Sequence, residues 1–283
     1  MKRNKIPAVA TIICLALAIC SLGLWQTGHP VLKEVVVQDN YLYHHWGPLR
    51  ICHISDIHLP ISSGLMQRTL ELIKKTAPDL ICITGDIAQW SGKDAHVVAF
   101  LQGLETIAPV YAVFGDADMA QGRKRCFWCH KQNDIHFLKE TGVKILRDDT
   151  VTVHLPRSRI RIVGLSPEEL DHENQKFLVA DEKRGQKRDE PLLVLSHFSK
   201  NWTLLPESLH LLWLSGDTHG GQVYMPKPLW PLFRGKDYNH LRGLFKQGNR
   251  WLYVTSGIGT TAKLPLRIGI TPEVTLIRIS QED

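Results

Sequence analysis

From about residue 49 onwards the chain alternates apolar runs with short polar turns. Apolar runs over 49–54, 80–83, 110–114, 192–195 and 211–214 predict strands. Between the first three, 65–76 and 95–107 repeat apolar residues at three- and four-residue spacing, which predicts helices. Strand–helix alternation predicts an α/β fold around a largely buried sheet. Runs over 150–155, 159–165, 251–256 and 273–279 follow without long helices between them and predict a second, more antiparallel sheet.

The beginning of the chain reads differently. Lys2, Arg3 and Lys5 precede a run from Ile6 to Trp25 with no charged residue. Twenty residues at helical rise cover about 30 Å, the thickness of a bilayer core. The expectation is a membrane anchor over residues 1–28, a linker and first edge strand over 29–48, and the globular domain over 49–283. Ala16-Leu17-Ala18 keeps open a cleaved signal peptide, and Cys20 a lipoprotein signal. Positive charge before the run and little after it predicts the N-terminus inside and the body outside the cytoplasm.

Composition narrows the class. The 283 residues are 43% hydrophobic and 22% charged, with six Cys at irregular spacing, which excludes a disordered, collagenous or disulfide-scaffold chain. A net charge of +6 and a pI near 9.0 favour anionic partners. No nucleic-acid recognition module accompanies that charge, so no nucleic-acid partner is expected. Cys126-Phe-Trp-Cys129-His130 stands as a single pair, read as a surface disulfide or packed thiols ahead of a functional site. The charged stretch 183–190 reads as a solvated loop. Residues 224–250 interleave Trp230, Leu232 and Phe233 with Lys227, Arg234, Lys236, Arg242, Lys246 and Arg250. This stretch fits a loop over the second sheet, or a membrane-surface segment admitting a lipid-linked substrate.

The chemistry gathers at strand ends. Asp56 and His58 follow the first predicted strand, Asp86 the second, and Asp116 and Asp118 the third; His197 follows the fourth, and Asp217 and His219 the fifth. Ligands in α/β sheets collect outside the carboxyl ends of strands. One Asp or His there is usually a turn residue or a cap; five strand ends offering them together predict a shared site. Converging carboxylates repel unless cations neutralise them. Mixed Asp and His donors suit Mn²⁺, Fe or Zn²⁺, and a bridging Asp would hold two ions about 3.5–4 Å apart.

Asp-Ile-His at 56–58, Gly-Asp at 85–86, Gly-Asp-Ala-Asp at 115–118, Ser-His at 196–197 and Gly-Asp-Thr-His-Gly-Gly-Gln at 216–222 resemble the five-block signature of calcineurin-like metallophosphoesterases. The tail, Val254–Gly259 through Leu266-Arg267 and Pro272-Glu273, resembles the membrane-anchored branch with UDP-2,3-diacylglucosamine pyrophosphatase-type enzymes. The resemblance implies two packed mixed β-sheets flanked by helices, a four-layer αββα sandwich, behind an N-terminal membrane helix. It implies one ion on Asp56, His58, Asp86 and His219, and a second on Asp86, Asp116, His197 and Asp217. Asp86 and Asp118 are the expected catalytic carboxylates. The two divalent ions are expected to be Mn²⁺, ahead of Fe, Zn²⁺ or Mg²⁺.

Three positions depart from the family pattern. Asp116 stands where Asn is usual and Asp217 where His is usual; both keep a ligating oxygen and favour harder ions. Ala117 stands where a His usually protonates the leaving group, a loss worth about 10²–10⁴-fold when the leaving group needs that proton. The expected function is a membrane-anchored hydrolase of phosphoanhydride or phosphodiester bonds, specifically UDP-2,3-diacylglucosamine pyrophosphatase in lipid A biosynthesis. Its partners are a phosphorylated, lipid-linked small molecule and the bacterial inner membrane. That substrate is cytoplasmic, which conflicts with the predicted orientation. An extracytoplasmic phospholipid or envelope phosphodiesterase, and a decayed phosphate-binding protein, are the alternatives.

Overall fold

A computed structural model describes residues 6–58, 61–87, 95–119, 140–167, 190–200, 202, 205–229, 240–261 and 264–282. Cys126, Cys129, His130, residues 183–189, Trp230, Leu232, Phe233, Arg234 and Lys236 lie outside the described residues.

Two six-stranded sheets pack face to face. The first contains β1 (Val31–Gln38), β2 (Arg50–Ile54), β3 (Leu80–Thr84), β4 (Val110–Val113), β5 (Lys144–Ile145) and β12 (Glu273–Ser280), in the order β1-β12-β2-β3-β4-β5. The second contains β6 (Asp149–Leu155), β7 (Ser158–Leu165), β8 (Leu192–Ser196), β9 (Leu211–Ser215), β10 (Gly243–Gln247) and β11 (Arg250–Val254), in the order β10-β11-β9-β8-β7-β6. Both sheets are mixed. In the first, only β12–β2 is antiparallel; in the second, the outer pairs β10–β11 and β6–β7 are.

The run 273–279 therefore belongs to the first sheet, against the expectation that it joins the second. β8 and β9 are the parallel centre of the second sheet. Both are buried along their whole length, so they carry no polar alternation to show which layer they occupy.

Helices α3 (Ser63–Thr76) and α4 (Ala95–Glu105) cover the outer face of the first sheet. Ser62 caps α3 by accepting from Leu65 N at 3.3 Å, and Lys74 and Lys75 sit favourably at its negative end. Leu65, Met66, Thr69 and Ile73 form its inward stripe. Between the sheets lies a second core, including Ile51, Leu80, Cys82, Val113, Leu193, Leu212 and Tyr253. Its lower end is closed by the short helix α2 (Asn40–Trp46), which places Leu42 and Trp46 there. Cys52 and Cys82 are buried thiols held protonated by desolvation. Trp202, Leu205 and Leu209 pack on the outer face of the second sheet.

Most of helix α1 (Ile6–Thr27) projects from this body, with only its last turns against it; its window Ala10–Thr27 is apolar, long enough to cross a membrane, and only 6% buried.

Candidate metal centre

β2, β3, β4, β8 and β9 end at one edge of the sandwich, and their C-terminal turns converge there. Thr84 O, at the end of β3, accepts from Ser55 Oγ at 2.7 Å and from His197 Nδ1 at 2.8 Å. A single carbonyl thus joins a turn of each sheet. It also orients the His197 ring: Nδ1 carries a proton, so in the neutral ring the lone pair lies on Nε2, on the side of the carboxylates. Further along, Asp217 N donates to Asp56 Oδ1 at 3.1 Å, and Ala117 N to Asp86 Oδ1 at 2.9 Å.

The turns are too tight for ordinary residues. A Cβ at Gly115 would fall on Asp86 Oδ1, and one at Gly216 on Ser55 Oγ and Asp56 Oδ2. Asp56, His58, Asp86, Asp217 and His219 all have φ between 50° and 67°. These are five of the eight non-glycine residues with positive φ among the described residues. Left-handed backbone at such residues costs about 1–3 kcal/mol each and persists where surrounding structure enforces it, most often at functional sites.

The ligand atoms form two overlapping groups, each within 4.8 Å internally: Asp56, His58, Asp86 and His219, then Asp86, Asp116 and His197. Asp86 belongs to both. His58 Nε2 lies 3.4 Å from Asp86 Oδ2, and His219 Nε2 lies 3.5 Å from Asp56 Oδ1. His197 Nε2 is 3.6 Å from Asp86 Oδ1, 3.4 Å from Asp116 Oδ1 and 4.0 Å from Asp217 Oδ1. Burial pushes Asp56 up to about 8, with Asp86 and Asp217 adding to the rise. Burial opposes protonation of His197, but the surrounding carboxylates together raise it well above its ordinary value. His219 is lowered, first by burial and then by His58 and Arg267, so its ring is neutral. Asp56 Oδ2 and His197 Nε2 are buried without a hydrogen-bond partner. Crowded carboxylates, neutral imidazole and orphaned lone pairs fit divalent cations.

Six of the seven residues expected as metal ligands are in these groups, and Asp217 borders the second through its 4.0 Å approach to His197. Asp118 is placed differently from a reacting carboxylate. It accepts from Gly115 N at 2.8 Å and from Ile87 N at 3.0 Å, bracing the β4 turn against the β3 turn. Ala117 is buried and presents only a methyl group.

Arg267 has a role beside the centre that sequence reasoning missed. Its guanidinium is fully buried and donates to Gly259 O, Gly257 O and His219 O. It therefore holds the turn that seats His219. A lone Arg inside Leu264-Pro-Leu-Arg-Ile268 was the available signal. Glu273 is another: its Oε1 accepts from Tyr253 OH, Thr255 Oγ1 and Ser256 N, tying β12 to the turn after β11. Of the basic residues expected at lipid head groups, Arg242 donates to Gly220 O, Arg250 to Gln247 O, and Lys246 pairs with Glu282.

The Calcineurin-like phosphoesterase family profile matches residues 49–224. The chain is 29% identical over 241 residues to the uncharacterized metallophosphoesterase YkoQ of Bacillus subtilis, covering 82% of this chain and 83% of YkoQ. It is 27% identical over 242 residues to phosphodiesterase YaeI of Escherichia coli, covering 82% of each. A zebrafish (Danio rerio) transmembrane protein with metallophosphoesterase domain is 24% identical over 285 residues, covering 96% of this chain and 62% of that protein. A family match over most of the chain, on a fold whose strand ends assemble this donor set, sets aside the decayed-site alternative. The chain belongs to the calcineurin-like phosphoesterase family and is a metal-dependent phosphoesterase.

Proposed function

We propose that the protein hydrolyses phosphodiester or phosphoanhydride bonds of lipid-linked substrates at a membrane surface, with two divalent ions. Asp56, His58, Asp86 and His219 would hold one, and Asp86, Asp116, His197 and Asp217 the other. The observation that carries this reading is the position of Asp86, whose carboxylate is shared by both ligand groups. Bound divalent ions neutralise charge developing on phosphoryl oxygens and make water nucleophilic near neutral pH. The oxygen donors Asp116 and Asp217 support Mn²⁺ or Mg²⁺.

The chain's own contribution is positional. Thr84 and Arg267 orient His197 and His219, and the strained turns hold the carboxylates in place before substrate arrives. Ala117 cannot protonate a leaving group, and its N–H is engaged by Asp86. Leaving groups stable as anions are therefore favoured: a phosphate or an aryl oxide ahead of an alkoxide.

The name of YaeI supports a phosphodiesterase. UDP-2,3-diacylglucosamine hydrolysis in lipid A biosynthesis satisfies the leaving-group argument, but the relatives lend it no specific support. The apolar α1 and the zebrafish relative's name support anchoring in a membrane, read here as the bacterial inner membrane. The charge pattern around α1 supports a body outside the cytoplasm.

The test uses the full chain in detergent with Mn²⁺, offered bis(p-nitrophenyl) phosphate, phosphatidylglycerol, UDP-2,3-diacylglucosamine and an alkyl phosphate monoester. Cleavage of the aryl diester and of at least one lipid substrate, with the monoester slowest, is expected. Preference for the monoester would overturn the leaving-group argument, and no cleavage of either lipid would overturn the lipid-linked reading.

A further inference from the structure

Helix α1 does not simply trail from the body. At its last turns Thr27 Oγ1 accepts from Arg267 N at 2.9 Å, and Gln26 Oε1 accepts from Gly269 N at 3.0 Å. Gly23 lies so close that a Cβ there would stand 2.9 Å from Arg267 O. The loop thus gripped also binds the wall of the metal centre: Tyr224 N donates to Ile268 O at 2.7 Å, and Ile268 N to Gln222 O at 2.8 Å. Gln222 in turn donates to Leu264 O at 2.9 Å. The end of α1, residues 222–224 and residues 264–269 form one hydrogen-bonded unit, three residues from His219.

That unit is where the body exposes apolar surface. Outside α1, the exposed large hydrophobics among the described residues are Val31, Val36, Val223, Tyr224, Leu229 and Leu264. Three of these six, Val223, Tyr224 and Leu264, lie on the two loops beside the end of α1, and Leu229 follows five residues on from Tyr224. Tyr224 is 60% exposed and Trp25 is 59% exposed. The Gln26–Gly269 bond and the packing of Gly269 against Tyr224 bring Tyr224 beside the last turns of α1, which also carry Trp25. Trp and Tyr at one level mark a bilayer interface.

We infer that Val223, Tyr224, Leu229 and Leu264 form a rim seated in the headgroup layer of the bilayer that α1 spans. Its occupant is the bilayer itself. The hydrogen bonds at the end of α1 fix the body's height, so the rim meets lipid without a further hinge. A lipid-linked phosphoanhydride then reaches the metal centre with its acyl chains still in the membrane. The inference rests on the anchored, lipid-linked reading proposed above.

The experiment uses the full chain in nanodiscs of phosphatidylglycerol and phosphatidylcholine. A nitroxide is attached through Leu264→Cys, with Cys14, Cys20, Cys126 and Cys129 replaced by Ser. Greater accessibility to oxygen than to an aqueous nickel chelate is expected, and the reverse overturns the rim. In parallel, Leu229→Asp with Leu264→Asp is expected to slow UDP-2,3-diacylglucosamine hydrolysis at least about 10-fold while bis(p-nitrophenyl) phosphate turnover stays within about 2-fold. Unchanged UDP-2,3-diacylglucosamine hydrolysis also overturns it. If the wild-type chain cleaves neither substrate, the hydrolase reading fails, and the nitroxide measurement still decides the rim.

Discussion

His58 and His219 present their Nε2 atoms to each other across 3.0 Å, with their rings stacked at 11°. The two belong to different sheets' turns, one after β2 and one after β9. Each Nε2 also faces a carboxylate, Asp86 for His58 and Asp56 for His219. One N–H between two nitrogens satisfies one ring only, whereas a divalent cation accepts lone pairs from both rings and both carboxylates.

Asp86→Ala removes the carboxylate common to both groups. Turnover of bis(p-nitrophenyl) phosphate is expected to fall by about 10³-fold or more, and bound metal from two ions per chain to at most one. Circular dichroism should show the fold retained. Wild-type turnover in this variant would exclude the shared-carboxylate mechanism.

Metal binding should stabilise the protein more at higher pH. Asp56 titrates at about 8 in the metal-free fold, against 3.8 ordinarily, so the folded chain holds a proton the unfolded chain has released. That contribution is fully present below about pH 4 and is lost as pH rises through 8. His197, also raised, acts in the same direction above 6.5. Bound cations displace both protons and remove the penalty. The gain in Tm on adding Mn²⁺ should exceed that at about pH 5.5 by about 3 °C or more when measured near pH 8. An equal gain at both values would contradict the assigned ionisations.

Arg267→Lys keeps the charge but loses the planar fork that spans three carbonyls. The expected result is about 10–100-fold weaker Mn²⁺ binding by calorimetric titration. Unchanged metal affinity with a lowered Tm would reduce Arg267 to a packing residue.

Asp118 separates bracing from ligation. Asp118→Ala leaves the buried N–H groups of Gly115 and Ile87 unsatisfied, at about 1–3 kcal/mol each, and a marked fall in Tm should follow. Asp118→Asn keeps an acceptor and should bind metal in wild-type stoichiometry. Loss of one ion from the Asn variant would make Asp118 a ligand after all.

Ala117→His restores a proton donor next to the centre. The ratio of alkyl to aryl ester turnover should rise by about 10²-fold or more, because only the alkoxide needs the proton. A ratio that does not move would show that the leaving group is protonated from elsewhere.

Much of the centre could be read from the chain because strand ends announce themselves locally. An apolar run followed by Gly, Asp or His is a contiguous signal, so Asp56, Asp86, Asp116, His197 and His219 stand out in the sequence alone. The α/β class and the apolar N-terminal helix were visible for the same reason: periodicity and length are properties of neighbouring residues. Sheet membership was not. β8 and β9 are buried on both faces, and β12 slips between β1 and β2 from more than 200 residues away; strand pairing at that separation leaves no periodic trace.

The amino-acid sequence by itself determined which donor atoms exist, where strands stop and which segment is apolar and long enough to cross a membrane. Tertiary structure alone decided that Asp86 is shared, that Asp118 turns to the backbone, that Arg267 carries His219, and that α1 grips the loop beside the centre. These are relations between residues far apart in the chain, set by which buried polar groups must find partners once the two sheets close on each other.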